Sequence, residues 1–304
     1  MTSNDAPAVA IVGVGNMGGG MARNLLGRGW RVRVHDIDRA KVDALAQRGA
    51  EPCSDSAQAA SGVPLTIVCV IDAAQCDEVL FGAGGVCQRS GGAAGHTVML
   101  CPTIAPDDTE RLAARLQAAG AGTIDAPMSG GPARAADGSM SLMVACADAL
   151  FETHRALIEA LSSRLFRIGT RVGDGARTKL VNNLLAGINL VGAAEVLVIA
   201  QRMGLDANRT LDVIEQSSGQ SWIGSDRMRR ALAGDFEPRA HVTLLEKDTG
   251  LALAAARAAG VQGPLGAAAH AVFVRTHEAG MAGLDDAAVL RWLGQAMPVP
   301  PGKP

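Results

Sequence analysis

The chain has 304 residues, 48% of them hydrophobic and 19% charged, with a formal net charge of -2. This composition excludes the disordered and collagen-like classes, and the length is enough for two domains at ~100–200 residues each. Lys and Arg are scattered along the chain, so no electrostatic footprint for nucleic acid or an anionic membrane is expected.

Residues Met1–Ala10 carry neither the basic nor the apolar segment of a secretory leader, and a cytoplasmic location is expected. From Ala8 to Ile168, short β-branched runs alternate with Ala-rich helical patterns, the signature of a parallel sheet covered by helices. The first strand, Val9–Val14, enters a helix over Met17–Arg28 through Gly13, Gly15 and Gly18 in GxGxxG spacing. Gly13 permits the tight turn, Gly15 lets the backbone approach a pyrophosphate, and Gly18 lets helix and strand pack closely. The pyrophosphate would rest on the helix N-terminus, where free N–H groups and the dipole favour negative charge.

The spacing alone is weak in a chain with 37 glycines, but its context is specific. The next strand, Arg31–His35, is followed by Asp36, whose carboxylate can bond the adenosine ribose hydroxyls. Asp36 would repel a ribose 2′-phosphate, so NAD is expected in preference to NADP, with Arg33 and Arg39 nearby as the opposing influence. Asn16 and Met17 in the turn, with Val70 and Ile71 at the end of a third strand, Thr66–Ile71, complete this group of candidate cofactor contacts.

A Gly- and Ala-rich stretch over 82–95 reads as a loop with a short element, followed by a strand at Thr97–Leu100, a helix at Thr109–Ala119 and a strand at Gly122–Asp125. The loop DAPMSGGPARAADG comes next, with Ser129, Gly130 and Gly131 able to direct O–H and N–H donors at a carboxylate. An ordinary Gly-rich turn has the same appearance. After Gly173 the strand signal ends, and a helix over Lys179–Ala200 contains only five polar residues: Lys179, Asn182, Asn183, Asn189 and Glu195. A helix apolar all round is buried or membrane-spanning, and a Lys with three Asn makes a span costly, so burial is expected.

The expected architecture is therefore α/β, with a Rossmann-type, mostly parallel sheet domain over 1–172. An all-helical C-terminal domain for substrate and oligomerisation follows over 173–304, joined by the long buried helix. Pro298–Pro304 reads as a frayed tail. Six cysteines without CxxC spacing read as free thiols, and the histidines make no HExxH, so no metal site is expected.

Lys179 and Asn183 stand four apart and share a helix face. A Lys on an otherwise apolar helix must pair, line a polar cleft or lose its proton, and an amine so placed suits general acid/base work at a carbinol or carbonyl. The alternative is a Lys at a helix start with its amine in water.

From about Val9 to Leu293 the sequence resembles the β-hydroxyacid dehydrogenases. Four motifs carry the resemblance: the GxGxxG turn, the DAPMSGG loop, GxxxKxxNN at Gly175–Asn183, and Lys247–Asp248 in LLEKDTGLAL. It implies an oxidoreductase moving a hydride between NAD(H) and a small 3-hydroxy acid or its semialdehyde, of the 3-hydroxyisobutyrate or tartronate semialdehyde type. It further implies that Lys179 is catalytic, that Ser129, Gly130, Gly131 and Asn183 hold substrate, and that Thr103 and Lys247 contact cofactor. A homodimer or homotetramer is expected. Pro102, Ala145–Cys146 and Arg134 depart from the family pattern, and Arg134 is similar to a basic residue of the threonate dehydrogenase branch. A threonate-type enzyme and a non-enzymatic dinucleotide-binding module are the alternatives, and the presence of Lys179 argues against the second.

Overall fold

The computed structural model describes residues 6–297. The chain divides into two compact units, the first ending at Lys179 and the second beginning at Leu180.

In the first unit the strands are β1 (Ala8–Val12), β2 (Arg31–His35), β3 (Glu51–Pro52), β4 (Leu65–Val68), β5 (Thr97–Leu100), β6 (Gly122–Asp125), β7 (Met128–Ser129), β8 (Ser141–Ala145) and β9 (Arg164–Gly169). The helices between them are α1 (Asn16–Gly27), α2 (Arg39–Ala46), α3 (Ser56–Ala60), α4 (Ala73–Phe81), α5 (Pro106–Ala118), α6 (Gly131–Asp137) and α7 (Asp148–Leu161). One sheet runs in the order β3-β2-β1-β4-β5-β6-β8-β7, with β9 on β8. Its first six strands are parallel, and β8 lies antiparallel to β6 and β7. This is the mostly parallel, Rossmann-type sheet read from the sequence. Val9, Ala10, Ile11 and Val12 of β1 are all buried, as expected of a central strand covered on both faces. Met21 and Leu25 of α1 pack in one core with Val9 and Ile11, while Ala10 and Val12 pack in another with Ala59 and Val63.

The strand reading needs correcting: the first strand ends at Val12 and not at Val14, and the two-residue strands β3 and β7 are not expected from the sequence. The third strand ends at Val68, so Val70 and Ile71 lie beyond it, with Ile71 exposed. The returning strands β8 and β9 have no counterpart in the sequence reading. β8 is buried over Leu142–Ala145, yet the Gly- and Ala-rich loop before it masks the change of direction in the sequence.

The long helix, α8 (Asp174–Arg202), crosses from one unit into the other. In the second unit it is followed by α9 (Ala207–Glu215), α10 (Trp222–Leu232), α11 (Val242–Ala258), α12 (Pro264–Thr276) and α13 (Val289–Ala296). Their shared core includes Leu190, Ala194, Leu197, Leu211, Met228, Val242 and Phe273. Among the described residues the second unit has no strand, in line with the sequence reading. The expected burial of α8 holds along one side, while Val181, Leu185, Val196 and Ile199 are exposed. Among the described residues α8 is the only helix long and apolar enough to cross a membrane, and 44% of its most apolar window is buried. Pro298–Pro304 lies outside the described residues.

Candidate active site

The glycine turn follows directly from sterics. Gly13 adopts φ +86, and a Cβ there would stand 2.5 Å from the Cys69 carbonyl oxygen and 3.1 Å from Val70 Cγ1. A Cβ on Gly18 would stand 1.9 Å from the Gly13 carbonyl oxygen, so helix and turn close only on glycine. At Gly15, in contrast, nothing lies within 4 Å of the missing Cβ. That open space stands at the N-cap of α1, which has no side-chain cap, and it fits a pyrophosphate approaching the N-terminal end of the helix. Asn16 and Met17 form the first turn of α1, and Met17 packs partly against the core. A concavity beside the turn is lined by Gly15, Asn16, Gly19, Arg23, Lys41 and Arg48, which adds positive charge where the phosphates would lie.

Asp36 has a second task that its position alone did not reveal. Its Oδ2 accepts the Val14 N–H at 2.7 Å and its Oδ1 accepts the Asp38 N–H at 2.9 Å. The carboxylate thus ties the end of β2 to the glycine turn while keeping lone pairs for a ligand. Arg33 is committed elsewhere: it pairs with Glu51 at 2.8 Å and donates to the Ser61 carbonyl. Arg39, more exposed, lies 4.0 Å from Asp43. Val70, Ile71 and Thr103 follow the carboxyl ends of β4 and β5, the edge at which open α/β sheets bind ligands.

Ser129 ends β7 and pairs in register with Ser141 of β8. Gly130 and Gly131 then adopt φ +124 and +75, and α6 begins at Gly131 with Gly130 as its uncapped N-cap. The side chain of Arg134 folds back over Gly130, with Cδ 2.8 Å from where a Cβ would stand, so the Arg and the Gly fit together.

Asp125, the last residue of β6, is buried, and its Oδ2 accepts the N–H groups of Gly173 at 2.8 Å and Ala176 at 3.1 Å. Burial pushes this carboxyl up to about 6, against the pull of the helix N–H groups. Gly175 is required here, since a Cβ would meet Met143 O at 2.8 Å and Asp125 Cγ at 2.9 Å. Arg177 bonds Glu110 at 2.8 Å and Asp174 at 3.0 Å, which secures the outer side of the same turn. Lys179, buried, therefore sits on a helix whose start is fixed to the sheet.

Asn183 follows one helical turn after Lys179 and is also buried. Within the second unit its Nδ2 donates to Asp248 Oδ2 at 2.7 Å, and Lys247 Nζ stands 2.8 Å from Asp248 Oδ1. Thr249 meets His270 Nδ1 at 2.9 Å, and His277 pairs with Glu246 at 2.7 Å. Each of these two histidines thus has a partner on α11. The cysteines are free, and burial pushes the Cys69 and Cys76 thiols up to about 12. Asp125 and Asp248 both stand within the sequence motifs, yet the motifs alone gave them no role. An acid closing an apolar strand, and an acid beside a Lys in an apolar helix, were the available signals.

Two family models cover the chain. Residues 8–169 match one described as the NAD binding domain of 6-phosphogluconate dehydrogenase, and residues 173–293 match one described as NAD-binding of NADP-dependent 3-hydroxyisobutyrate dehydrogenase. The L-threonate dehydrogenase of Cupriavidus necator is 35% identical over 283 residues, covering 93% of this chain and 95% of the relative. The 3-hydroxyisobutyrate dehydrogenase of Pseudomonas aeruginosa is 34% identical over 277 residues, covering 87% of this chain and 90% of that one. A crystal structure described as 3-hydroxyisobutyrate dehydrogenase from Salmonella typhimurium superposes with a TM-score of 0.86 at 32% identity, covering 94% of this chain and 99% of that chain.

Proposed function

The chain belongs to the β-hydroxyacid dehydrogenase family of NAD(P)-binding oxidoreductases, and from that premise we propose that it oxidises or reduces a small 3-hydroxy acid with Lys179 as general acid/base. The observation that carries the proposal is the Lys179 turn: a buried amine on a helix start fixed by Asp125, with Asn183 one turn further on. Such a placement supplies a cation and a proton at a defined point, the requirement for acid/base work at a carbinol.

When bound at the glycine turn, the nicotinamide dinucleotide supplies the hydride acceptor or donor. Ser129 Oγ and the N–H groups of Gly130 and Gly131 hold the substrate carboxylate. Asn183 orients the reacting hydroxyl. Lys179 takes the hydroxyl proton during oxidation and returns one to the forming alkoxide during reduction. Asp36 selects NAD over NADP, and Thr103 and Lys247 contact the dinucleotide.

Among substrates, 3-hydroxyisobutyrate and tartronate semialdehyde are the first reading. One observation favours the threonate-type alternative. Arg134 folded over Gly130 brings a second cation and up to five donors to the edge of the carboxylate loop, and these suit an acid with further hydroxyl groups. The L-threonate dehydrogenase among the relatives supports the same choice. Initial rates with NAD on threonate, 3-hydroxyisobutyrate, glycerate and 4-hydroxybutyrate test both readings. Activity on none of them would overturn the proposal, and a preference for 3-hydroxyisobutyrate would overturn the threonate variant alone.

We further propose a homo-oligomer, homodimer or homotetramer. The exposed residues Val181, Leu185, Val196 and Ile199 fall on one stripe of α8, with exposed Met203 just past its end, and a self-complementary apolar face suits a second copy. The six free thiols accord with a reducing compartment, and the cytoplasm is the proposed location.

A further inference from the structure

We infer that Asp248 is a positioning residue for the reaction proposed above, holding the Asn183 amide in one orientation and the Lys247 ammonium beside it. The inference rests on the assignment of Asn183 to the substrate. Asp248 lies within α11 and is buried, and its two oxygens are divided between two neighbours. Oδ2 accepts the Asn183 Nδ2–H at 2.7 Å, and Oδ1 stands 2.8 Å from Lys247 Nζ.

A carboxylate can only accept, so the amide must turn its NH2 group toward Asp248 and its carbonyl away. On the carbonyl side, Asn182 Nδ2 donates to Asn183 Oδ1 at 3.1 Å. The amide is therefore held at both ends, with one N–H and one lone pair left for a substrate hydroxyl. Removing Asp248 would release the NH2 end and let the amide rotate. A buried carboxylate in turn requires both a counter-charge and a hydrogen bond, here Lys247 and Asn183. One acid thus links a residue assigned to substrate with a residue assigned to cofactor.

The test uses the full chain carrying Asn183→Ala, Asp248→Ala, Asp248→Asn and the Asp248/Asn183 double substitutions. Readouts are kcat and KM on the best hydroxy acid and the dissociation constant of NAD by calorimetry. Asn183→Ala and Asp248→Ala should each lower kcat/KM by roughly tenfold to a hundredfold, as for loss of one charge-assisted hydrogen bond. Asp248→Asn, which still offers an acceptor, should lose less. The double variants should be no worse than Asn183→Ala alone, because both changes remove the same interaction. NAD affinity should be unchanged in Asn183→Ala and should fall where Asp248 is replaced, because Lys247 loses its counter-charge, so kcat/KM is compared at saturating NAD. Multiplying losses in the double variants would overturn the inference while leaving the proposed function intact. Wild-type kcat/KM in Asn183→Ala would overturn the assignment of Asn183 and the inference with it. Should Asp248→Ala fail to fold, the coupling between Asp248→Asn and Asn183→Ala distinguishes the same two outcomes.

Discussion

Asp125 Oδ2 accepts the backbone N–H of Gly173 at 2.8 Å in a buried setting, so the last residue of β6 holds the start of the helix that carries Lys179. Its carboxyl is raised from 3.8 to about 6 in the fold, chiefly by burial, a shift equivalent to about 3 kcal/mol. A carboxyl raised by folding contributes stability below pH 3.8 that is lost as pH rises through about 6. Asp125→Asn removes this titration while keeping an acceptor for the N–H groups. Urea unfolding of both proteins should show the wild type losing stability relative to Asp125→Asn between about pH 4 and pH 6, with a constant difference above that. A difference that does not change with pH would refute the assignment.

If Asp36 meets the adenosine ribose as proposed, cofactor choice follows from its carboxylate, which accepts the N–H groups of Val14 and Asp38. Two like charges ~4 Å apart at an effective dielectric of about 20 repel by about 4 kcal/mol, and a third of that still gives tenfold discrimination. Since Arg33 is paired with Glu51, kcat/KM with NAD should exceed that with NADP by roughly tenfold or more. A higher value with NADP would shift attention to Arg39.

Replacing Ser129 by Ala should remove one charge-assisted hydrogen bond to the substrate carboxylate and lower kcat/KM by roughly tenfold to a hundredfold. NAD binding, measured by calorimetry, should be unchanged. Weaker NAD binding with intact substrate kinetics would assign the loop to the cofactor instead.

Lys179→Ala should lower kcat by roughly 10²–10⁴-fold, the usual contribution of general acid/base catalysis. Lys179→Arg should fare little better, because a guanidinium keeps its charge but cannot exchange the proton. Dinucleotide binding should survive in both, as titration calorimetry would show. Near wild-type turnover in either variant would remove Lys179 from the mechanism.

Glu in place of both Leu185 and Val196 would put charge into the exposed stripe of α8. Light scattering should then report a smaller assembly than for wild type, with the circular dichroism spectrum retained. An unchanged mass would place any self-association elsewhere on the molecule.

The chain's local patterns carried much of this structure. Gly13, Gly15 and Gly18 between an apolar run and a helical pattern mark the turn, and the contact that forbids a Cβ on Gly18 is local, with the Gly13 carbonyl oxygen, whereas the one that forbids a Cβ on Gly13 is tertiary, with Cys69 just beyond β4. Lys179 and Asn183 share a face for an equally local reason, the helical period. What tertiary structure decided lies between residues far apart in the chain. The hold of Asp125 on Gly173 spans 48 residues and that of Asp248 on Asn183 spans 65, so neither pairing follows from any short window. The same holds for the antiparallel return of β8, which depends on which strand edge is open. The apolar composition of α8 likewise could not show which side faces the core, since that depends on the helices packed against it.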